Sequence, residues 1–211
     1  MTGRDMVGAC LALYGPRTTI IVYNEKIEQC QEFSLKEGEE EEEFWVLTRQ
    51  KIRVAPQTRI FAAMNARAIV DHIAYRECIE FWIKTGYTLR YSGALSADAY
   101  HLLIKGEGVY AQVGSKTMKA KLRLLYELLP VAFLVDKAGG SSTNGNENLL
   151  DLVIEGYYQK ETAVIGSLDE VERFERFVNA HAVDQKALDE KLAGNQSFNQ
   201  KILAAKKMVS V

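Results

Sequence analysis

Lys121 and Glu127, six residues apart, are the side chains in this sequence best suited to chemistry. A lysine ammonium suits a phosphate as a point charge, and a glutamate offers the hard oxygens that Mg²⁺ prefers. Both lie in the run Lys119 to Gly140, KAKLRLLYELLPVAFLVDKAGG. Arg90, Tyr91 and Tyr110 add donors of the kind a phosphate dianion needs, charge-assisted from arginine and directional from tyrosine hydroxyls. Each has a plainer reading: Glu127 as a helix cap, Arg90 as a surface guanidinium, the tyrosines as packing at the edge of a core.

The elements that must position these groups follow from periodicity. Lys121-Leu122-Arg123-Leu124 alternates charged and apolar residues, which predicts a half-buried strand. Leu128, Val131, Leu134, Val135 and Ala138 then recur at helical steps. Pro130 is tolerated only in a first turn, so the helix is expected to begin near Glu127, and Gly139-Gly140 to end it. That places Glu127 at a strand-to-helix junction. Upstream, Asn65 is expected to cap a helix to about Lys84 with Val70, Ile73, Ala74, Cys78 and Phe81 inward and Gly86 as its stop. Tyr87 to Tyr91 reads as a strand, and Ser92 as the cap of a helix burying Leu95, Ala99, Leu102 and Leu103. Val109 to Val113 and Ala163-Val164-Ile165 read as strands, with a turn at Asn144-Gly145. Ser167-Leu168-Asp169-Glu170 has the spacing of a capping box opening a helix with Val171, Phe174 and Phe177/Val178 inward.

The first 57 residues read as strands. Leu11 to Tyr14 and Thr19 to Tyr23 flank a Gly15-Pro16 breaker, and Gln31 to Leu35 and Phe44 to Leu47 form a second pair. Between these, Glu37 to Glu43 holds six glutamates and one glycine, a solvated hairpin tip by its self-repulsion. Residues 181 to 211 read as a helical tail with a break near Gly194-Asn195, either loose or docked on the chain or on a partner.

Composition narrows the function classes. The chain has 211 residues, 47% hydrophobic and 26% charged, enough for an ordinary core. A net charge of −2 gives no general attraction to nucleic acid or to an anionic membrane, and no apolar run is long enough to span a bilayer. Cys10, Cys30 and Cys78 fit neither a zinc spacing nor a CxxC pair, so free thiols in a reducing compartment are expected. His72, His101 and His181 form no spaced ligand set.

The Lys119–Gly140 run resembles the C-terminal signature of the class I sugar bisphosphatases, fructose-1,6-bisphosphatase and, more closely, sedoheptulose-1,7-bisphosphatase. Further segments match in order: Thr2-Gly3-Arg4-Asp5, then Tyr14 to Thr19, Tyr87 to Gly93, Gly108-Val109-Tyr110 and Gly166-Ser167. Together they cover roughly Thr2 to Phe177. The chain departs from the family pattern at the Phe61 to Asn65 loop, at Tyr158-Gln159-Lys160 and in its long tail.

The resemblance implies an α/β fold: a C-terminal bisphosphatase domain with a mixed sheet flanked by helices, residues 58–180. The last strands of an incomplete first domain, residues 1–57, precede it, and the tail, 181–211, follows. It implies Glu127 as a Mg²⁺ ligand. It also implies Lys121, Tyr91, Tyr110 and Asn65 facing a sugar bisphosphate, and Arg90 reaching a neighbouring subunit in a homo-oligomer. The family's Asp-Pro-x-Asp-Gly turn, which carries most of its metal ligands, has no match, because the chain contains no Asp-Pro pair. One glutamate cannot assemble a two-metal site, and the metals in such sites activate water and neutralise the transferring group. The expected function is therefore the C-terminal part of a Mg²⁺-dependent sugar 1,7-/1,6-bisphosphate 1-phosphatase, inactive alone and completed either by its own upstream sequence or by pairing with a separately encoded N-terminal half. A non-catalytic sugar-phosphate-binding or regulatory subunit paired with a full-length relative is the alternative. The missing partner strands are expected upstream of Met1, and the location is expected to be cytoplasm or plastid stroma.

Overall fold

The computed structural model describes residues 1–38 and 42–193. Four antiparallel strands come first: β1 (Cys10–Leu13), β2 (Thr19–Asn24), β3 (Gln29–Glu37) and β4 (Glu43–Ile52), in that spatial order. The β1–β2 and β3–β4 hairpins fall where the breakers and the acidic run put them. Gly38 N–H closes the second hairpin on Glu42 C=O at 2.8 Å; Glu39 to Glu41 lie outside the described residues. The second sheet has five strands: β5 (Ile60–Met64), β6 (Thr88–Leu89), β7 (Val109–Gln112), β8 (Ser141–Thr143) and β9 (Ala163–Gly166). Its order is β6-β5-β7-β9-β8, with β5 parallel to β6 and β7 and the other pairings antiparallel.

Four helices fill the remaining layers: α1 (Ile73–Lys84), α2 (Leu95–Lys105), α3 (Leu129–Lys137) and α4 (Leu168–Ala180). One core joins Leu11, Ile21, Cys30 and Ile52 of the first sheet to α2, α3 and the Ala163 and Ile165 side of β9. A second joins the other side of the mixed sheet, through Phe61, Val109, Ala111 and Val164, to Tyr75, Cys78 and Trp82 of α1 and Val171 and Phe174 of α4. The order is sheet, α2 and α3, sheet, α1 and α4. This explains why α3 is apolar nearly all round: it has a sheet on each side.

Several local expectations are corrected. Lys121 to Leu124 is no strand; only Arg123 makes a bridge, to Lys160. β7, the strand nearest in sequence, already has β5 and β9 as neighbours, so it has no free side for a further strand. A wide turn of π-helical bonding, Leu124–Leu128, follows and runs into α3, so Glu127 lies inside helical structure rather than at a junction. Asn65 does not cap α1. It adopts left-handed backbone (φ 56°) before a 3₁₀ segment, Ala66–Val70, and His72 caps α1 by accepting Tyr75 N–H on Nδ1 at 3.2 Å. The 3₁₀ segment shifts the helical phase: Val70 is exposed, and Tyr75, Ile79 and Trp82 join Ala74 and Cys78 inside. Ser92 sits two residues before the cap position of α2, where Ala94 stands, although Ala99, Leu102 and Leu103 are inward as expected. The box at Ser167 does not form. The Ser167 hydroxyl accepts Gly108 N–H instead, and Glu170 turns inward to other partners.

β4 is one of the two edges of the first sheet, with β1 at the other. Phe44 and Trp45 of β4 are 49% and 48% exposed. Among the described residues no helix is long and apolar enough to cross a membrane. The chain is helical again over 182–193, and the break near Gly194 and all that follows lie outside the described residues.

Candidate functional site

The candidate site lies at the carboxyl ends of the parallel strands β5 and β7, the usual place for ligands in open α/β sheets. Met64 and Gln112 end the two strands as a registered pair. The chain then turns left-handed at Asn65, which frees its side chain to reach sideways. Asn65 Nδ2 donates to Val113 C=O at 2.7 Å and to Met118 C=O at 3.1 Å. These bonds tie the end of β5 to the loop that follows β7. The loop is closed on itself by Ser115 N–H to Met118 C=O at 2.8 Å.

Buried Asp71 holds the same loop. Its Oδ2 accepts Thr117 N–H at 2.9 Å and Thr117 Oγ1–H at 2.8 Å. Burial works against the charged form of Asp71, but Ser115 and Thr117 outweigh it and hold the carboxyl below its usual range. From this anchored turn the chain presents Lys119 and Lys121, both exposed, with no ion pair among the described residues. Gly114 is required here: a Cβ on it would lie 2.7 Å from Ala120 N, where the loop crosses back. Gln112 Oε1 then accepts Leu122 N–H at 3.3 Å, returning the chain to the strand end.

Glu127 faces a cavity of about 400 Å³ whose wall includes Leu11 of β1, Met64, Ser96 of α2, Leu122 and Val131. Its carboxylate is already engaged. Oε2 accepts Arg123 N–H at 2.6 Å and lies 3.6 Å from the Arg123 guanidinium. Glu127 thus satisfies the Arg123 amide from within the helical turn and also forms part of the cavity wall. Among the described residues no three His, Cys, Asp or Glu side chains converge. One carboxylate, shared with an arginine, does not make the octahedral oxygen shell of Mg²⁺.

The tyrosines and Arg90 lie slightly back from the strand ends. Tyr110 is buried, paired across the ladder with Ala62, and its hydroxyl donates to Met64 Sδ at 2.9 Å. Burial first, then the fields of Tyr91 and Asp98, raise its pKa far above the usual phenol value. Tyr91 is partly exposed just beyond β6. Arg90 donates its backbone N–H to Phe61 C=O at 2.9 Å, and its exposed side chain borders a water-sized cavity with Asp98, His101 and Tyr110. Asp98 accepts Ser92 N–H at 2.7 Å on one oxygen, while its other, buried oxygen has no hydrogen-bond partner among the described residues. Lys121, Asn65 and Glu127 are thus grouped at the strand ends, whereas Arg90 belongs to a neighbouring cluster.

A second polar cavity, about 360 Å³, lies at the opposite ends of these strands, beside Thr58, Glu107 and Glu170. Glu170 is buried there and fully used: it accepts Trp82 Nε1–H at 2.6 Å and Tyr87 O–H at 2.8 Å, and it pairs with Arg173 at 3.1 Å. Such a satisfied network is structural. Asp71, Gln112 and Thr117 shape the candidate site without having been singled out from sequence. For Asp71 and Gln112 the local signal is a polar residue within or next to an apolar stretch; Thr117, in a polar loop, carries none.

Residues 54–179 match the family described as fructose-1-6-bisphosphatase, C-terminal domain. The chain belongs to the fructose-1,6-bisphosphatase family. Chloroplastic sedoheptulose-1,7-bisphosphatase of Spinacia oleracea is 37% identical over 177 residues, 83% of this chain and 44% of that protein. Class 1 fructose-1,6-bisphosphatase of Trichlorobacter lovleyi is 33% identical over 186 residues, 84% of this chain and 54% of that protein. The crystal structure of a sedoheptulose-1,7-bisphosphatase homologue from Toxoplasma gondii superposes with a TM-score of 0.77 at 35% identity, over 86% of this chain and 59% of that one. The chain therefore spans roughly half the length of the relatives it matches, and its mixed α/β architecture is that of the family.

Proposed function

We propose that this chain is the phosphate-holding C-terminal part of a sugar 1,7-/1,6-bisphosphate 1-phosphatase. The observation that carries the proposal is the anchored lysine loop. Asn65 and Asp71 fix it at the carboxyl ends of β5 and β7, and it presents an exposed Lys121 next to Leu122, which with Glu127 lines the cavity of about 400 Å³. In this reading Lys121 meets a phosphate of the substrate. Tyr91 supplies a directional donor, Tyr110 shapes the floor through Met64, and Asn65 acts through the loop it ties down.

The relatives' names point to sugar bisphosphates, and Mg²⁺ is the metal we assign to the complete site. Glu127 would be its contribution from this chain, but the described residues do not fit a metal by themselves. No hydrolytic step is therefore assigned to them; they bind and orient. The runner-up is a non-catalytic sugar-phosphate-binding or regulatory subunit, and it makes the same binding prediction. The division into 1–57, 58–180 and 181–211 is part of the proposal, as is a reducing compartment, cytoplasm or plastid stroma, for its three free thiols.

We assign a second copy of the chain as partner to β4. Glu37, Glu42 and Glu43 lie at one end of this edge and Arg49 and Lys51 at the other. Antiparallel pairing about Leu47 sets Glu43 of each copy opposite Lys51 of the other and covers Trp45 and Leu47. The exposed Arg90 is a second candidate contact across a subunit boundary.

Calorimetric titration with fructose 1,6-bisphosphate and sedoheptulose 1,7-bisphosphate tests the binding reading. Binding without phosphate release is expected, weakened about tenfold or more by Lys121→Met. Phosphate release that disappears in Glu127→Gln would refute the account of the metal site. No binding of either sugar would refute the function.

A further inference from the structure

After α4 the helix breaks at His181 and resumes over 182–193, lying across the start of α1 and the lysine loop. The match to the family ends at residue 179, so this helix lies beyond it. Its key side chain is Gln185. Gln185 Oε1 accepts Ile73 N–H at 2.8 Å, one of the donors that the first turn of α1 leaves without an intrahelical partner. Gln185 Nε2 donates to Asp71 C=O at 2.7 Å and to Asp189 Oδ1 at 2.9 Å. Asp71 is the residue whose carboxylate holds Thr117. The tail helix therefore grips Asp71 by its backbone, and Asp71 grips the loop by its side chain. A second tie is direct: Lys116 Nζ donates to Asp189 C=O at 3.1 Å.

We propose that residues 182–193 are a strap that positions the lysine loop for anion binding, with Gln185 as its positioning residue and the Lys116–Asp189 contact as its tether. Among the described residues no hydrogen bond or ion pair joins the strap to Lys119 or Lys121, so it acts through the population of the closed loop. Apparent affinity scales with the fraction of molecules in the competent state. Losing the bonds of Gln185 lets the loop open, and a closed fraction cut to between a third and a tenth weakens binding about three- to tenfold. The affinity half of this inference rests on the phosphate reading of Lys121; the mechanical half does not.

The test uses the full chain with Gln185→Met, which keeps the volume and removes every bond, and with Asp189→Ala, a milder change that removes the Oδ1 acceptor of Gln185 and the 3.9 Å ion pair to Lys116 while keeping the Lys116 bond to the backbone carbonyl. Glu190→Gln on the exposed side of the strap is the control. Amide hydrogen exchange without ligand should quicken at Thr117 and Met118 in both variants by about threefold or more, and stay unchanged in β7 and β9. Titration with fructose 1,6-bisphosphate should then show the three- to tenfold loss, with the control equal to wild type. Unchanged exchange in the loop overturns the strap. Faster exchange with undiminished affinity overturns its role in binding. A wild-type chain that binds no sugar bisphosphate overturns the phosphate reading alone, because exchange still decides the strap. A purely structural role would lower the melting temperature and quicken exchange in β7 and β9 as much as in the loop, which also counts against the proposal.

Discussion

Asn65 offers the sharpest test of how the candidate site is built, because its backbone and side-chain contributions separate. Asn65→Ala removes two hydrogen bonds, to Val113 C=O and Met118 C=O. At about 1 kcal/mol each they contribute about 2 kcal/mol. The residue also holds φ at 56°, and alanine there costs a further ~1–2 kcal/mol that asparagine largely escapes. The expected loss is about 3–4 kcal/mol. Asn65→Gly loses the same bonds and escapes the backbone strain, but it adds about 0.4–1 kcal/mol of unfolded-chain entropy. Glycine should thus come out milder than alanine by about 1 kcal/mol, at roughly 2.5–3 kcal/mol. Urea unfolding followed by circular dichroism measures both, with a shift of midpoint at constant slope. Equal losses in the two variants would refute the strain argument. Losses below about 0.5 kcal/mol in both would show that the loop does not depend on Asn65.

Three further outcomes are expected. Glu170→Ala strands the Arg173 cation and leaves Trp82 Nε1–H and Tyr87 O–H without their acceptor, so stability should fall by about 3–5 kcal/mol; a loss under about 1 kcal/mol would contradict the network. Burial holds the His72 imidazole below its usual pKa against the pull of Asp189 and Asp71, so the native state keeps it neutral and capping α1. The stability this confers is present above about pH 6.5 and is lost as pH falls through the depressed native value. His72→Asn keeps an acceptor at the cap and should reduce the drop in urea midpoint between about pH 7.5 and 5.5; identical drops would rule His72 out. Sedimentation should find the chain self-associated through β4 and Leu47→Lys shifted towards monomer, with added salt weakening the contact; a wild-type monomer would sink the β4 pairing.

The sequence carried most of what depends on local periodicity. The inward faces of α2 and α4 and the apolar α3 could be read directly, as could the first hairpins, because burial repeats at helical or strand spacing there. What escaped was decided by distant partners. The alternation in Lys121 to Leu124 looks like a strand, but β7 has no free side to receive it. Ser167 and Glu170 have the spacing of a capping box, yet Gly108, 59 residues away, takes the hydroxyl, and Trp82, 88 residues away, takes the carboxylate. Asn65 has the right type to cap a helix, but two carbonyls on the loop after β7 claim its amide. Of the site, Lys121 and Glu127 were legible from residue type and order. Asp71, Gln112 and Gln185 were not, since their roles exist only once the strand ends and the tail helix meet.

The strand order has a consequence for how the chain is made. β9 lies between β7 and β8, and among the described residues β8 has no other neighbour. As the chain leaves the ribosome, β5, β6 and β7 can pair in turn, but Ser141–Thr143 must wait until Ala163–Gly166 has been synthesised and inserted. Gly166 makes that insertion close-fitting, since a Cβ on it would collide with Gly108 C=O. Until then α3 has a sheet on only one side and exposes apolar surface, so a nascent chain paused between β8 and β9 is the stage at which a chaperone has most to cover.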